Sequence, residues 1–197
     1  MDAYELITTR RSTRKFREEP VPDELLQKVL EAGRHAPSGG NNQTTHLLVI
    51  RNREILAELA AKAEQEFAKM KITPDTYKSL AGSIRASKKG GYIFHYHAPV
   101  LILTANKKSY SNNIADCACV LENMMLMANA LDLGSVWINQ MKWLNGSELI
   151  NEVLFRIGMK EDERVYGGLA LGFADTEDGL PVRTPLPRTG NPVTFVD

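Results

Sequence analysis

The sequence has no net charge, because 24 lysine and arginine residues balance 24 aspartate and glutamate residues. Proteins that bind nucleic acid or a membrane surface through their overall charge carry a broad basic field, so neither partner is expected here. The chain also has no apolar run near the roughly 18 residues of a membrane span, and no apolar leader segment follows Met1. These absences predict a cytoplasmic protein.

Cysteine is scarce, and the two that occur, Cys117 and Cys119, lack the C-x-x-C spacing of zinc and redox motifs. We expect two reduced thiols. His95 and His97 stand two residues apart with no acidic or cysteine residue at ligand spacing, so no metal site is expected. Neither G-x-G-x-x-G nor the Walker A pattern is present. A nicotinamide nucleotide would therefore bind transiently rather than as a tightly held cofactor.

The 197 residues, 43% hydrophobic and 24% charged, suit a single domain over 1–197 with a sizeable core. Amphipathic helical stretches alternate with short apolar strands, which predicts an α/β or α+β fold. The predicted strands are 46–50, 99–104, 136–138 and 164–173; the predicted helices are 2–9, 22–33, 53–70, 111–133 and 147–155. Gly134 is expected to cap the long helix. Residues 71–95 form a variable excursion, with a short helix near 75–88, and the proline-rich tail 175–197 is expected to lie extended.

Two short segments carry the polar groups suited to a ligand. The first, here called the basic segment, is Arg10-Arg11-Ser12-Thr13-Arg14-Lys15-Phe16-Arg17. Guanidinium groups bind phosphate through two parallel hydrogen bonds and stay charged at any physiological pH. The second, the polar loop, is Ala36-Pro37-Ser38-Gly39-Gly40-Asn41-Asn42-Gln43, whose amides offer both donors and acceptors to a polar ring. Taken alone, the first segment would be interpreted as a solvated turn and the second as an ordinary polar turn between helix and strand.

The two segments together resemble the signature of the nitroreductase-like, FMN-dependent oxidoreductases. The resemblance rests on Arg10-x-Ser12-x-Arg14-x-Phe16 and Ala36-Pro37-Ser38-x-x-Asn41-x-Gln43 followed by a strand. It continues in order through Ala98-Pro99, Asp116 to Ala128, Leu131-x-Leu133-Gly134-Ser135-x-Trp137, Gly168-Leu169-Ala170-Leu171-Gly172-Phe173 and Pro187-Arg188. The sequence differs from the family at Thr44-Thr45, where many relatives have Pro-Trp, and it lacks a Pro-x-Glu-Gly loop. The resemblance therefore does not identify the substrate.

The resemblance implies a central, mostly antiparallel sheet flanked by helices, an intertwined homodimer, and an FMN site shared between subunits. Arg10, Arg11 and Ser12 would hold the phosphate with Arg188, and Arg14 would lie near the pyrimidine edge. The partner subunit would supply Pro37, Ser38 and Asn41, with Gln43 supporting that loop or touching the ring. The backbone of Trp137, Ile138 and Asn139 would face the reactive edge of the flavin.

The function implied is ping-pong hydride transfer through flavin N5 from NADH or NADPH to a small-molecule acceptor such as a nitroaromatic or quinone. No catalytic side chain is expected, because the flavin carries the chemistry. Two other functions stay open. The first is a flavin-storing protein with little turnover, because the substrate side is where the sequence diverges. The second is a nucleic-acid-binding protein using the basic segment, against which the zero net charge stands.

Overall fold

The computed structural model describes all 197 residues as a four-stranded sheet with helices on both faces. The helices are α1 (Ala3–Thr9), α2 (Asp23–Arg34), α3 (Arg53–Lys69), α4 (Lys78–Lys89), α5 (Asn113–Ala130), α6 (Gln140–Trp143) and α7 (Glu148–Arg156). The strands are β1 (His46–Ile50), β2 (Val100–Lys107), β3 (Gly134–Ile138) and β4 (Glu163–Gly172). The predicted α+β class is confirmed. No helix combines the length and the apolar character needed to cross a membrane.

The sheet has the order β1-β2-β4-β3, and every neighbouring pair is antiparallel. Alternate residues of β2 enter opposite faces, as the pleat requires. Leu101 and Leu103 pack in one apolar layer with Phe67 of α3, while Val100 and Ile102 pack in a second layer beneath α2 and α5. The central strand is therefore buried on both sides, which explains its continuous apolar run.

Local side-chain caps start several helices where the sequence suggests. Asp2 accepts a hydrogen bond from the Glu5 N–H, and Asn52 accepts from the first turn of α3. The expected cap of the long helix at Gly134 is wrong. The chain turns at Asp132, which has a φ of 61°, and the Leu133 N–H returns to the Ala128 carbonyl at 2.8 Å. Gly134 instead begins β3.

The tail after β4 forms no further helix or strand, and its docked part ends near Thr184. Arg183 donates to Asn129 and, at 2.6 Å, to Asp132, and the Asn129 amide donates to the Leu6 carbonyl of α1. Arg183 thus ties the tail to the end of α5 and, through Asn129, to α1. Residues 185–197 are exposed.

Candidate functional site

The basic segment extends the edge of the sheet beside β3. Ser12 forms a parallel bridge with Ser135, and the Thr13 N–H donates to the Ser135 carbonyl at 2.9 Å. Phe16 bridges Ala174 just after β4. These backbone contacts hold the segment in an extended conformation. Its charged side chains are therefore not needed to fix the position of the backbone.

Glycine at position 134 lets the basic segment approach β3 closely. A Cβ atom there would lie 2.7 Å from the Thr13 Cγ2 atom and 2.8 Å from its hydroxyl oxygen. Such contacts are too short to accommodate without movement. Gly134 is therefore needed for the packing of Thr13, which lies between two of the predicted ligand-binding residues, Ser12 and Arg14.

Several cations of the basic segment have no acidic partner. The side chains of Arg10, Arg14 and Lys15 make no hydrogen bond or ion pair within the chain. Arg11 donates only to the Thr184 carbonyl. A cleft of about 250 Å³ opens over this segment, lined by Arg11, Ser12, Thr13, Arg14, Lys15, Ala174, Asp175, Thr176 and Val182. Asp175 is the one carboxylate on its wall, so the cleft is predominantly basic and suits an anionic group.

The end of β3 presents a free backbone edge beside this segment. The Ser135 carbonyl faces the outer edge, where Thr13 binds it. Backbone groups two residues apart point the same way in an antiparallel strand, so those of Trp137 also face outward and those of Ile138 face β4. The Trp137 indole donates to the Asn139 side chain at 2.8 Å. The structure therefore brings Trp137, Ile138 and Asn139 to the same edge as the basic segment.

The polar loop folds on itself in a strained turn. Gly40, Asn41 and Gln43 have φ values of 59°, 55° and 51°, and two of them are not glycine. The Gln43 N–H donates to the Ser38 hydroxyl at 3.0 Å, and the Gln43 amide reaches Asn41 Oδ1 at 3.1 Å. Pro37 and Ser38 line a cleft of about 250 Å³ with Gln43. The predicted residues of this loop thus form one compact unit.

Two residues missed by the sequence reasoning clamp this loop from outside. The buried Asp116 carboxylate accepts from the Gly39 N–H at 3.1 Å and from the Tyr110 hydroxyl at 2.9 Å. The Tyr110 hydroxyl also lies 3.1 Å from the Gly39 carbonyl. A side chain at Gly39 would collide with Asn112 and Tyr110. The available signals were an acidic residue in the first turn of an apolar helix and its place at the start of the family stretch from Asp116 to Ala128.

Within one chain, the polar loop and the basic segment lie at opposite ends of the sheet. The loop leads into His46, which pairs with Ala105, whereas the basic segment lies by Gly134 and Gly172, next to the Val100 end of β2. Five residues of strand separate these ends by roughly 17 Å. Arg188 belongs to the exposed tail and makes no hydrogen bond. The chain alone does not bring these predicted groups together.

Two buried groups near the site have shifted pKa values. Burial raises the pKa of the Cys117 thiol to about 11, so it stays protonated at neutral pH and is a poor nucleophile. Burial, aided by the nearby His97, lowers the pKa of His95 to about 4. His95 is therefore neutral at physiological pH, and neither group offers an activated catalytic side chain.

Comparison with known proteins agrees with this architecture. Residues 7–173 match the model of the nitroreductase family. A nitroreductase of Bacteroides fragilis, solved with bound FMN, is 32% identical, with a TM-score of 0.84 and full coverage of both chains. A nitroreductase of Desulfitobacterium hafniense, also solved with bound FMN, is 25% identical, with a TM-score of 0.80 and full coverage of both chains.

A protein of Archaeoglobus fulgidus with the provisional name NADH dehydrogenase/NAD(P)H nitroreductase is 28% identical over 176 residues. That match covers 89% of this chain and 87% of the relative. The family match spans both strands that adjoin the basic segment, as well as the polar loop and the long helix α5. With its sheet order, its basic edge and this match over most of its length, the chain belongs to the nitroreductase family.

Proposed function

We propose that this protein is an FMN-dependent NAD(P)H oxidoreductase that reduces nitroaromatic, quinone or similar small acceptors. Donor and acceptor would occupy the same site in turn. The observation that carries the proposal is the pairing of unpartnered cations on the basic segment with the free backbone edge at Trp137. The FMN bound to the two structural relatives supports the choice of cofactor.

The residues present fit the two ends of FMN. A phosphate needs cations and hydroxyls that are not already neutralised, and Arg10, Arg11 and Ser12 supply them at the edge of the sheet. Arg14 lies two residues after Ser12 in the extended segment. Its exposed side chain is free to lie at the pyrimidine edge of the flavin. A fixed guanidinium there stabilises negative charge on a reduced ring.

When bound, FMN supplies the hydride-accepting ring, and the protein residues bind and orient it. The outward backbone of Trp137 offers a hydrogen-bond donor and an acceptor to the reactive edge. Ile138 is buried and holds that edge against the apolar core. No acid or base side chain is needed for these roles, which agrees with the lack of an activated side chain at the site.

We propose that the active form is a homodimer in which the partner completes each site. The polar loop residues Pro37, Ser38, Asn41 and Gln43 lie about 17 Å along the sheet from the basic segment, so a second copy must supply them to a shared site. An open, largely apolar cleft of about 540 Å³ between α1, α2 and α5, lined in part by Leu6, Leu126 and Met127, gives that copy a surface to cover.

The exposed tail suits the intertwined dimer. Val193, Phe195 and Val196 are 74%, 84% and 92% exposed, so the end of the tail presents neighbouring apolar side chains to a covering surface. β1 is an edge strand whose outer side is available for pairing with an extended segment. Exchange of tails between copies would cover both. Arg188, which follows the Thr184 carbonyl bound by Arg11, would lie toward the phosphate end of the site as a further contact. One domain over 1–197 would then form each half of the dimer.

The proposal is tested by an absorbance spectrum of the purified protein, followed by anaerobic addition of NADH. Flavin bands that bleach with NADH and return with a nitroaromatic or quinone acceptor are the expected result. Flavin bands that persist with both NADH and NADPH would point to a flavin-storing protein. A colourless protein that cannot take up added FMN would contradict the proposal.

A further inference from the structure

A cleft of about 290 Å³, here called the α3 cleft, opens where α3 begins. Its apolar walls come from the start of α3 and from the segment that leads into β2, and they include Leu56, Ala57, Ile93 and Pro99. Its ionisable side chains are Glu18, Arg53, His95 and His97. Apolar walls with a few polar groups are the usual composition of a small-molecule site.

The α3 cleft adjoins the basic segment but is a separate space. A neighbouring cleft of about 370 Å³ is lined by Arg14 and Lys15 of the basic segment. Ile93 and His97 are the two residues that line both clefts. None of the residues proposed above to bind FMN lines the α3 cleft. A ligand in the α3 cleft would therefore leave the proposed FMN contacts in place.

Arg53 supplies the α3 cleft with a cation that no acidic residue neutralises. Its side chain makes no ion pair, and its one hydrogen bond is a long one, to the Glu18 carbonyl at 3.5 Å. Arg53 is also the first residue of α3, a helix of 17 residues, so the positive end of the helix dipole lies at the same place. The guanidinium and the dipole both favour an anionic group.

His95 leaves hydrogen-bonding capacity unused in the wall of the α3 cleft. The residue is 5% exposed, and its Nδ1 atom has no hydrogen-bond partner. Because burial lowers its pKa to about 4, the ring is neutral and offers one N–H and one acceptor nitrogen. An unpaired buried nitrogen is uncommon in folded proteins, and an external polar partner is one of its ordinary explanations.

The wall that separates the two clefts is a strained turn. Tyr96 and His97 have φ values of 56° and 60°, although neither is glycine. The Tyr96 N–H donates to the Ile93 carbonyl at 3.1 Å, and the Ala98 N–H donates to the His95 carbonyl at 3.0 Å. Backbone strain of this kind clusters at ligand sites, where the surrounding structure holds it. The turn places both histidines in the wall of the α3 cleft.

We infer that the α3 cleft is a second small-molecule site, which binds a monocarboxylate with a compact apolar body. Arg53 would pair with the carboxylate, while Leu56, Ile93 and Pro99 would contact the apolar part. Glu18 is the one acidic residue that lines the cleft, and its exposed carboxylate is screened by water and salt. The inference goes beyond the proposed function and does not depend on it, because no FMN-binding residue takes part.

Benzoate is the probe, and benzamide is its neutral counterpart of nearly the same shape. Backbone amide shifts of the isotope-labelled, full-length protein, recorded at pH 7, locate and quantify the binding. We expect saturable shifts at Ala57 and Ile93 with a Kd for benzoate of about 1 mM. Benzamide should bind about tenfold more weakly, because it cannot pair with a guanidinium. Protein with bound FMN should give the same result.

Two substitutions separate the charge from the apolar wall. Arg53→Gln removes the cation and should raise the Kd for benzoate about tenfold, with Arg85→Gln on the exposed face of α4 as its control. Ala57→Leu fills the cleft without changing its charge and should also weaken binding. Ala61→Leu, at an exposed position one turn along α3, is the matched control.

Glu18→Gln tests the direction of the charge effect. Removing this carboxylate should leave benzoate binding unchanged or tighten it, because like charges repel. Weaker binding in Glu18→Gln would contradict the assignment of a carboxylate ligand.

The competing location for benzoate is the basic segment. Binding that is lost in Arg14→Ala but kept in Arg53→Gln would place benzoate there and overturn the inference. Wild-type protein without saturable benzoate binding would overturn it as well. A protein that binds benzoate through Arg53 but takes up no FMN would contradict the proposed function alone.

Discussion

The carboxylate of Asp116 holds the backbone of Gly39. Its Oδ1 atom accepts from the Gly39 N–H at 3.1 Å, and its Oδ2 atom accepts from the Tyr110 hydroxyl at 2.9 Å. The loop held in this way carries Ser38 and Asn41, which we propose to reach the flavin of the partner subunit. α5 therefore positions a ligand-binding loop through one buried acid in its first turn.

Tyr110→Phe should weaken FMN binding without unfolding the protein. The change removes the hydroxyl that bridges Asp116 and the Gly39 carbonyl. We expect a loss of about 1 kcal/mol in loop stability and up to about a tenfold rise in the Kd for FMN, measured by fluorescence titration. Tyr77→Phe is the control, because Tyr77 is exposed and its hydroxyl has no partner. Equal affinities for the two variants would show that the clamp does not govern flavin binding.

The periodic parts of this fold were predictable from sequence, because each depends on a local pattern. β2 is buried on both faces, so its apolar run from Val100 predicts a strand, and the helical spacing of apolar residues predicts α5. The end of α5 was not predictable, because Asp132 takes the left-handed position that the pattern assigned to Gly134. That glycine is required by Thr13, a contact that no local pattern encodes.

The candidate site was predictable in its residues but not in its supports. The family signature identified both the basic segment and the polar loop as motifs. The contacts that hold them come from distant positions: Asp116 of α5 accepts from Gly39 of the polar loop, and Gly134 of β3 packs against Thr13 of the basic segment. Such pairings arise only when the tertiary fold brings α5 and β3 to these segments. The hydrogen bond from Arg183 to Asn129 was not predictable for the same reason.

Gly134→Ala should displace the basic segment. The new Cβ would lie 2.7 Å from Thr13 Cγ2, so Thr13 must move away from β3, and Ser12 and Arg14 must move with it. We expect a fall in stability of about 1 to 3 kcal/mol and a loss of FMN retention. Gly146→Ala is the control, because no atom lies within 4 Å of a Cβ placed there.

The double variant Gly134→Ala, Thr13→Gly checks the cause. Removing the Thr13 side chain removes all three of the nearest contacts with the new Cβ. FMN retention, measured as the flavin to protein absorbance ratio after gel filtration, should recover in part. Retention that stays as low as in Gly134→Ala would mean that the clash with Thr13 is not responsible.

Arg10→Ala and Arg14→Ala should each reduce FMN affinity while leaving the melting temperature near that of the wild type. Neither side chain has a partner within the chain, so no internal contact is lost. A charge-assisted hydrogen bond to the ligand is worth about 1.5 to 3 kcal/mol, which predicts a Kd raised by roughly 10-fold to 150-fold. Arg85→Ala on the exposed face of α4 is the matched control. Unchanged FMN affinity in both variants would show that the basic segment does not hold the cofactor.

Mixed dimers should separate the two halves of the proposed site. A copy carrying Arg14→Ala lacks a contact from the basic segment, and a copy carrying Ser38→Ala lacks one from the polar loop. If each site combines the two halves from different copies, a mixed dimer has one site with both changes and one with neither. Titration should then show one wild-type FMN site per mixed dimer. Two weakened sites, one with the affinity of each single variant, would mean that each copy binds FMN with its own loop.

Stability should fall in mild acid because His95 must be buried as the neutral form. Its pKa is about 4 in the folded protein, whereas an unfolded histidine has a pKa of about 6.5. Between these values the unfolded chain binds a proton that the folded chain does not, so stability decreases as pH falls through this window. The shift corresponds to a loss of roughly 3 kcal/mol in the free energy of unfolding by pH 4. A smaller loss is expected at pH 5.

His95→Gln tests this origin, because glutamine does not titrate. Chemical denaturation at pH 5 and pH 7 should show a larger stability difference in the wild type than in His95→Gln. Glu18, Arg53 and His97 are the other ionisable residues that line the same cleft, and His97→Gln is included as the control. It should keep most of the pH dependence of the wild type, because burial contributes more than the nearby His97 to the lowered pKa of His95. Parallel pH dependence in the wild type and His95→Gln would assign the acid sensitivity to other groups.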